Sequence, residues 1–206
     1  MNIIDIKPTE IEKRSFEILT SILGEKELNP EHEAVIKRCI HTSADFEYAD
    51  SLYFSEDIVS KLKEAIKNGA NIVTDTQMAK AGINKTKLAT FGGEVHCFIA
   101  DEDVARIAKQ RGVTRSLVSM EKAASIEKPL IFAIGNAPTA LISINELVNS
   151  GKLNPVAVVG VPVGFVNVVE SKELIVNSKI PCIVARGRKG GSNIAAAIIN
   201  AILYNI

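Results

Sequence analysis

Short, uninterrupted apolar runs alternate with helical stretches along the last two thirds of this chain. The runs with the composition of buried strands are residues 72–74, 95–100, 130–134, 156–161 and 182–185. Each is followed by a helical stretch, the last being the alanine- and isoleucine-rich run 193–203. Continuous apolar strands with intervening helices are typical of a parallel sheet that is buried on both faces. The pattern predicts an α/β fold with a mostly parallel, roughly five-stranded sheet and helices on both of its faces.

The first third of the chain has the pattern of helices that precede this sheet. Thr9 and Glu12 have the spacing of a capping box. An apolar stripe then falls on one helical face: Ile11, Ile18, Leu19 and Ile22. Residues 29–31 and Ser55 predict two more helix starts. No repeat, low-complexity stretch or linker divides the chain, so residues 1–206 are predicted to form a single domain.

Composition excludes several classes of protein. The 24 basic and 24 acidic side chains cancel, and nucleic-acid or anionic-membrane binding would favour a basic excess. We therefore expect no nucleic-acid partner and no membrane. Neither a secretory signal nor an apolar run of transmembrane length is present in the sequence. Cys39, Cys97 and Cys182 are too widely spaced for a zinc knuckle, and we interpret them as buried thiols of a cytoplasmic protein without a metal.

Three glycine-bearing loops follow predicted strands. Residues 135–139 read Gly-Asn-Ala-Pro-Thr, residues 160–165 read Gly-Val-Pro-Val-Gly-Phe, and residues 187–192 read Gly-Arg-Lys-Gly-Gly-Ser. Ligands of open α/β sheets bind beyond the carboxyl ends of the strands, where such loops lie. Glycine lets a ligand approach the backbone, and a helix N-terminus offers N–H groups to anions. We predict a broad pocket at this edge of the sheet.

The last of these loops has the strongest anion-binding signal. Arg186, Arg188 and Lys189 lie beside the pair 190–191, and Ser192 is placed to cap the following helix. The alternative is a solvated basic turn. Neither G-x-x-x-x-G-K-[ST] nor G-x-G-x-x-G occurs in the chain, so no nucleotide or other cofactor is predicted.

The second predicted helix has the best candidate for acid–base chemistry. Arg38 and His41 are three residues apart and share a face, with the small Ala34 one turn below. Histidine titrates near neutral pH and is therefore suited to give or take a proton. A hydrogen-bonded structural histidine is the alternative.

Other polar and aromatic residues are ambiguous. Ser15 interrupts the apolar stripe of the first helix, and its hydroxyl either bonds to the preceding turn or reaches a ligand. His32 and His96 have no partner nearby in sequence and are interpreted as structural or surface residues. Tyr48, Tyr53 and Phe54 are interpreted as core-packing residues, the alternative being contact with a flat ligand.

Six segments together resemble the precorrin-8X methylmutase family, also called cobalt-precorrin-8 methylmutases. Each segment alone is a weak signal, but six in the family's order are highly specific. They are Arg14-Ser15-Phe16; residues 40–45, Ile-His-Thr-Ser-Ala-Asp; residues 74–83, with Thr74-Asp75, Met78 and Ala-Gly-Ile; residues 135–141; residues 162–172, with Pro-Val-Gly-Phe-Val and Glu-Ser-Lys; and residues 187–192.

The resemblance implies an isomerase of cobalamin (vitamin B12) biosynthesis. In this family a methyl group migrates from C-11 to C-12 of precorrin-8X or cobalt-precorrin-8, giving hydrogenobyrinic or cobyrinic acid. The family's proton donor or acceptor maps onto His41, and its substrate-binding positions map onto Ser15 and Arg38. The resemblance also implies an α/β homodimer.

The implied substrate is a flat macrocycle whose rim carries many carboxylates. We expect those carboxylates to meet the strand-end loops, at Gly135, Asn136, Gly164, Arg186, Arg188, Lys189 and Gly190. The migration resembles a sigmatropic shift, which protonation of the ring can assist without a nucleophile or a redox cofactor.

Three alternatives stay open at this point. The enzyme could act on only the cobalt-bound or only the metal-free substrate. A carrier could hold a tetrapyrrole-like anion without converting it. A sugar-phosphate- or nucleotide-binding enzyme could use the last glycine-rich loop, although the usual phosphate-binding spacings are absent.

Overall fold

A computed structural model describes residues 7–206. Six strands form one sheet: β1 (Leu52–Phe54), β2 (Asn71–Thr74), β3 (Val95–His96), β4 (Leu130–Ile134), β5 (Ala157–Gly160) and β6 (Cys182–Ala185). Their order is β1-β6-β5-β4-β2-β3, and every neighbouring pair is parallel except β1 with β6. The prediction of a mostly parallel α/β sheet is confirmed.

The helices of the described residues flank this sheet. After a 3₁₀ turn at Pro8–Glu10 they are α1 (Ile11–Leu23), α2 (Glu33–Ser43), α3 (Tyr48–Ser51), α4 (Ile58–Lys67), α5 (Gln77–Gly82), α6 (Lys85–Ala89), α7 (Glu102–Arg111), α8 (Arg115–Ala123), α9 (Pro138–Asn149), α10 (Val168–Val176) and α11 (Ser192–Tyr204). Within residues 7–206, none of them is long and apolar enough to cross a membrane.

Strand β1 is the one strand that the sequence pattern did not predict. Tyr53 and Phe54 do pack, but as part of a three-residue antiparallel edge strand in which Leu52 pairs with Ala185. Its residues are only half-buried, so the segment lacks the continuous buried apolar run from which the other strands were predicted. Strand β3 is also shorter than predicted, because the ladder with β2 ends at His96.

Two hydrophobic layers enclose the sheet. Helices α2, α4 and α11 pack on one face, and α8, α9 and α10 cover the other. Helix α11 buries nine of its thirteen residues, which explains why its sequence is apolar nearly all round. The buried helix α11 and the fully buried strand β4 provide a fixed base for the loops that follow the strands.

Helix α1 lies outside this core, against α2. The predicted capping box does not form, because the helix begins at Ile11 with Glu10 at its N-cap position. Of the predicted apolar stripe only Leu19 is buried, whereas Ile18 is 43% and Ile22 62% exposed. The stripe faces a groove rather than the core, and that groove is the first candidate for a site.

Candidate active site

A groove of about 300 Å³ runs between α1 and α2. Its walls are mostly apolar and carry two polar side chains, Ser15 and His41. The lining residues are Ser15, Ile18, Leu19, Ile22, Ile40, His41, Ala44 and Phe46. Two of the predicted site residues, 26 residues apart in sequence, are thus brought together.

His41 lies in the last turn of α2 with its imidazole exposed. The ring stacks on Phe16 of α1, with centroids 5.0 Å apart and planes inclined by 10°. The helix ends two residues later at Ser43, and the next residue, Ala44, adopts a left-handed conformation and donates its N–H to the Ile40 carbonyl. This arrangement holds the ring in one plane at the wall of the groove and leaves it open to exchange a proton with a ligand there.

Ser15 has the first of the two roles that its sequence position allowed. Its hydroxyl donates to the Ile11 carbonyl at 2.9 Å, the back-bonding expected of a helical serine. The side chain also lies on the groove wall. Because the hydroxyl proton is used within the helix, the oxygen is left as a hydrogen-bond acceptor.

Arg38 is anchored more firmly than its sequence position suggested. It pairs with Glu12, and its guanidinium lies 5.0 Å from the ring centre of Phe16 and 5.4 Å from that of Tyr204. Its side chain is 21% exposed. Arg38 therefore joins α1, α2 and α11. Its guanidinium is already paired with Glu12, so an anionic ligand would have to displace that carboxylate. Ala34, one turn below, lines a different groove.

Asp75 organises the loop that follows β4. Its carboxylate is buried and accepts the N–H groups of Gly135, Asn136 and Ala137 at 2.9, 2.8 and 2.6 Å. Burial raises the pKa of Asp75, and the three N–H donors oppose that rise. Sequence reasoning did not single out this residue, although an acid directly after a buried strand was an available signal.

Lys172 has the same role in the last loop. Its side chain is fully buried, and Nζ donates to the carbonyls of Gly187 and Lys189, both at 2.8 Å. Burial lowers the pKa of Lys172 to about 8. The lysine lies on α10 among apolar neighbours, and that break in an apolar face was the available signal.

The glycines of these loops make room for neighbouring backbone. A Cβ on Gly135 would lie 2.6 Å from the Cα of Ser192, and one on Gly190, whose φ is +159°, would overlap the Val161 carbonyl. Gly164 donates its N–H to the Arg188 carbonyl at 3.2 Å. The loops therefore pack closely on one another. Asn136 has an exposed side chain.

The predicted Ser192 cap does not form. Gly191 occupies the N-cap position of α11, and the Ser192 hydroxyl is 2.7 Å from that of Thr76. This contact joins the start of α11 to the start of α5. The serine therefore links two helix N-termini instead of capping its own.

The three cations of the last loop have different partners. Lys189 pairs with Asp45 at 2.6 Å and Glu47 at 2.7 Å, which raises the pKa of Lys189 and lowers that of Asp45. Arg186 approaches Glu173 at 3.5 Å and lies 5.2 Å from the centre of the Tyr53 ring.

Arg188 differs from both. It donates to the carbonyl of Phe165 at 2.9 Å, and within residues 7–206 it has no carboxylate in ion-pair range. Of the three predicted cations, Arg188 is therefore the one whose charge is not paired with a carboxylate of the described residues.

The other histidines have structural environments. His32 stacks on Phe54 at 3.9 Å, and the amide of Asn71 lies 3.0 Å from Nε2 of His96. Burial lowers the pKa of both histidines. The part of the chain that the structure describes contains no cluster of three or more potential metal ligands, and all three cysteines there are free and buried.

Known proteins are similar to this chain in sequence and in fold. A model of the precorrin-8X methylmutase family matches residues 10–205. Cobalt-precorrin-8 methylmutase of Salmonella typhimurium is 48% identical over 97% of this chain and 96% of its own length. Precorrin-8X methylmutase of a Sinorhizobium species is 34% identical over 93% and 92%. The crystal structure of precorrin-8X methylmutase from Thermus thermophilus superposes with a TM-score of 0.86 at 36% identity, covering 95% of this chain and 96% of that one.

Proposed function

Because the chain belongs to the precorrin-8X methylmutase family, we propose that the α1–α2 groove is where it moves the methyl group of its corrinoid substrate. The family is one of isomerases in cobalamin biosynthesis, which agrees with the sequence-based prediction of function. The observation that carries the site proposal is His41: an exposed imidazole, fixed by stacking on Phe16, on the wall of an apolar groove.

The groove suits a migration that needs a proton but no nucleophile. The apolar side chains of Ile18, Ile22 and Phe46 can contact a hydrophobic macrocycle, and His41 is then the group that protonates it or removes a proton. A proton on the ring redistributes its double bonds and so lowers the barrier for the methyl shift between adjacent carbons. Ser15 contributes a hydrogen-bond acceptor on the opposite wall.

The substrate's carboxylates are assigned to the strand-end loops. Asp75 and Lys172 fix the backbone of residues 135–137 and 187–189, so the exposed Asn136 and Arg188 are presented from a preformed rim. Arg38 and Arg186 are further charge complements, each already paired with a glutamate. Gly164 and Gly190 serve mainly by letting the loops approach one another.

Assembly and location complete the proposal. We assign the enzyme to the cytoplasm as a homodimer; free buried cysteines are consistent with a reducing compartment. The dimer comes from the family resemblance alone. Sedimentation of the purified chain tests the dimer directly.

The reaction is tested by incubating the protein with precorrin-8X and, separately, with cobalt-precorrin-8. We expect the absorption spectrum of the product acid with no change in mass, because an isomerisation adds and removes no atoms. The 48% identity to a protein named cobalt-precorrin-8 methylmutase favours faster turnover of the cobalt-bound substrate. A bound but unconverted corrinoid would identify a carrier instead.

A further inference from the structure

The loop between β5 and α10 exposes an unusual amount of apolar surface. Phe165 is 81% exposed, Val166 79% and Val163 48%. The remaining large apolar residues exposed in this half of the chain are scattered singly. Adjacent apolar side chains left open to solvent mark a surface that contacts a ligand or another macromolecule.

This apolar surface is held in place by the neighbouring loop. Arg188 donates to the Phe165 carbonyl at 2.9 Å, and its guanidinium lies 5.6 Å from the centre of the Phe165 ring. In return the Gly164 N–H donates to the Arg188 carbonyl at 3.2 Å. Phe165 and Arg188 are therefore a preformed pair, in which an exposed ring lies beside a cation that has no carboxylate partner in the described residues.

The pair is continuous with the groove through the next residue of the chain. Lys189 follows Arg188 directly and bonds to Asp45, which lies four residues after His41. The buried Lys172 donates to the carbonyls of the residues before and after Arg188, Gly187 and Lys189, and so fixes the backbone there. The order around the rim is thus His41, Asp45, Lys189, Arg188 and Phe165.

We propose that Phe165 and Val166 contact the face of the corrinoid macrocycle while Arg188 binds one of its peripheral carboxylates, so that the site extends from the groove onto this loop. The inference rests on the proposed function, since it assigns a second contact surface to the same substrate. A flat, apolar ring with an anionic edge matches an exposed aromatic ring beside an uncommitted guanidinium. Lys189 and Arg186, which are already paired, fit that role less well.

The test is a titration of the full-length protein with cobyrinic acid, the expected product, followed by its absorption spectrum. Phe165→Ser should weaken binding by about tenfold to a hundredfold, because burying an aromatic side chain contributes that much to affinity. Phe165→Leu should recover most of the loss. Leu174→Ser, at an apolar α10 residue that is 38% exposed, is the matched control and should bind like the parent.

Thermal unfolding of each variant separates binding from folding. Because Phe165 is almost fully exposed, Phe165→Ser should unfold at the parent temperature, so weakened binding cannot come from a damaged fold. Parent-like affinity of Phe165→Ser overturns the inference and leaves the proposed function intact. No binding by the parent protein overturns both. A changed subunit equilibrium with unchanged affinity would assign the surface to a second copy of the chain.

Discussion

His41 and the pair Asp75 and Lys172 serve the same proposed site from opposite environments. His41 is exposed on a helix end and makes one aromatic contact, with Phe16. Asp75 and Lys172 are buried ionisable side chains, and within residues 7–206 each has only the backbone of one loop as a hydrogen-bond partner, with no opposite charge in ion-pair range. An unpaired buried charge costs stability. The comparison indicates that burying Asp75 and Lys172 to fix the two loops costs folding free energy. Holding the exposed His41 ring against Phe16 has no such cost.

The largest expected effect is on the rim. Asp75→Ala should lower the free energy of unfolding by roughly 3 kcal/mol or more, because it leaves three N–H donors, two of them buried, without an acceptor. Urea denaturation measures this change. Asp103→Ala, at an exposed acid that pairs with Lys122, is the control and should cost much less, because exposed ion pairs contribute little to stability. Equal losses in the two variants would remove the special role of Asp75.

The next effect is on catalysis in the groove. His41→Ala should lower turnover by at least about a hundredfold, the usual scale for losing a general acid or base. Its stability should be close to that of the parent, since the imidazole is exposed. His32→Ala is the matched control: it also loses a ring stacked on phenylalanine, and it should retain turnover. Near-parental turnover by His41→Ala would contradict the assignment.

The buried lysine predicts a pH dependence of stability. The pKa of Lys172 is lowered from 10.5 to about 8 in the folded protein, so between these values the unfolded chain binds a proton that the folded chain does not. The cost of burying the charged lysine is fully present below about pH 8. It is relieved as the pH rises toward 10.5, by a free energy on the order of 3 kcal/mol.

Comparison with Lys172→Met isolates this contribution. The raised pKa values of Cys39, Cys182 and Tyr48 act in the opposite direction, but equally in both proteins. The free energy of unfolding of the parent minus that of the variant should therefore increase with pH across the window. A difference that does not change between pH 8 and 10.5 would show that burial does not lower the pKa of Lys172.

The smallest effect concerns Arg38, which contacts the Phe16 ring on which His41 stacks. If Arg38 binds a substrate carboxylate, Arg38→Ala should weaken cobyrinic acid binding by about tenfold, the scale of one charge-assisted hydrogen bond. Glu12→Ala should act in the opposite direction, because it frees the guanidinium from its competing partner. Titrations at two salt concentrations measure both. Equal affinity in all three proteins, with Arg38→Ala alone destabilised, would assign Arg38 to the scaffold.

The architecture was predictable because its signals are local. Four of the predicted strands match the observed ones within two residues at each end, since a strand buried on both faces has to be apolar throughout. Strand β1 was missed because three half-buried residues carry no such pattern. The stripe on α1 was correctly placed on one face, but its partner was not determined: Ile18 and Ile22 line a groove instead of entering the core.

The sequence by itself determined the fold class, the family and the group of residues around His41, because periodicity and motif order are properties of the chain alone. Only the tertiary structure decided what each charge does. It paired Arg38 with Glu12 and Lys189 with Asp45, and it left Arg188 beside an exposed phenylalanine. It also buried Lys172 under the carbonyls of a loop 15 residues away. Charge pairing depends on distances between residues remote in sequence, and those distances exist only once the chain has folded.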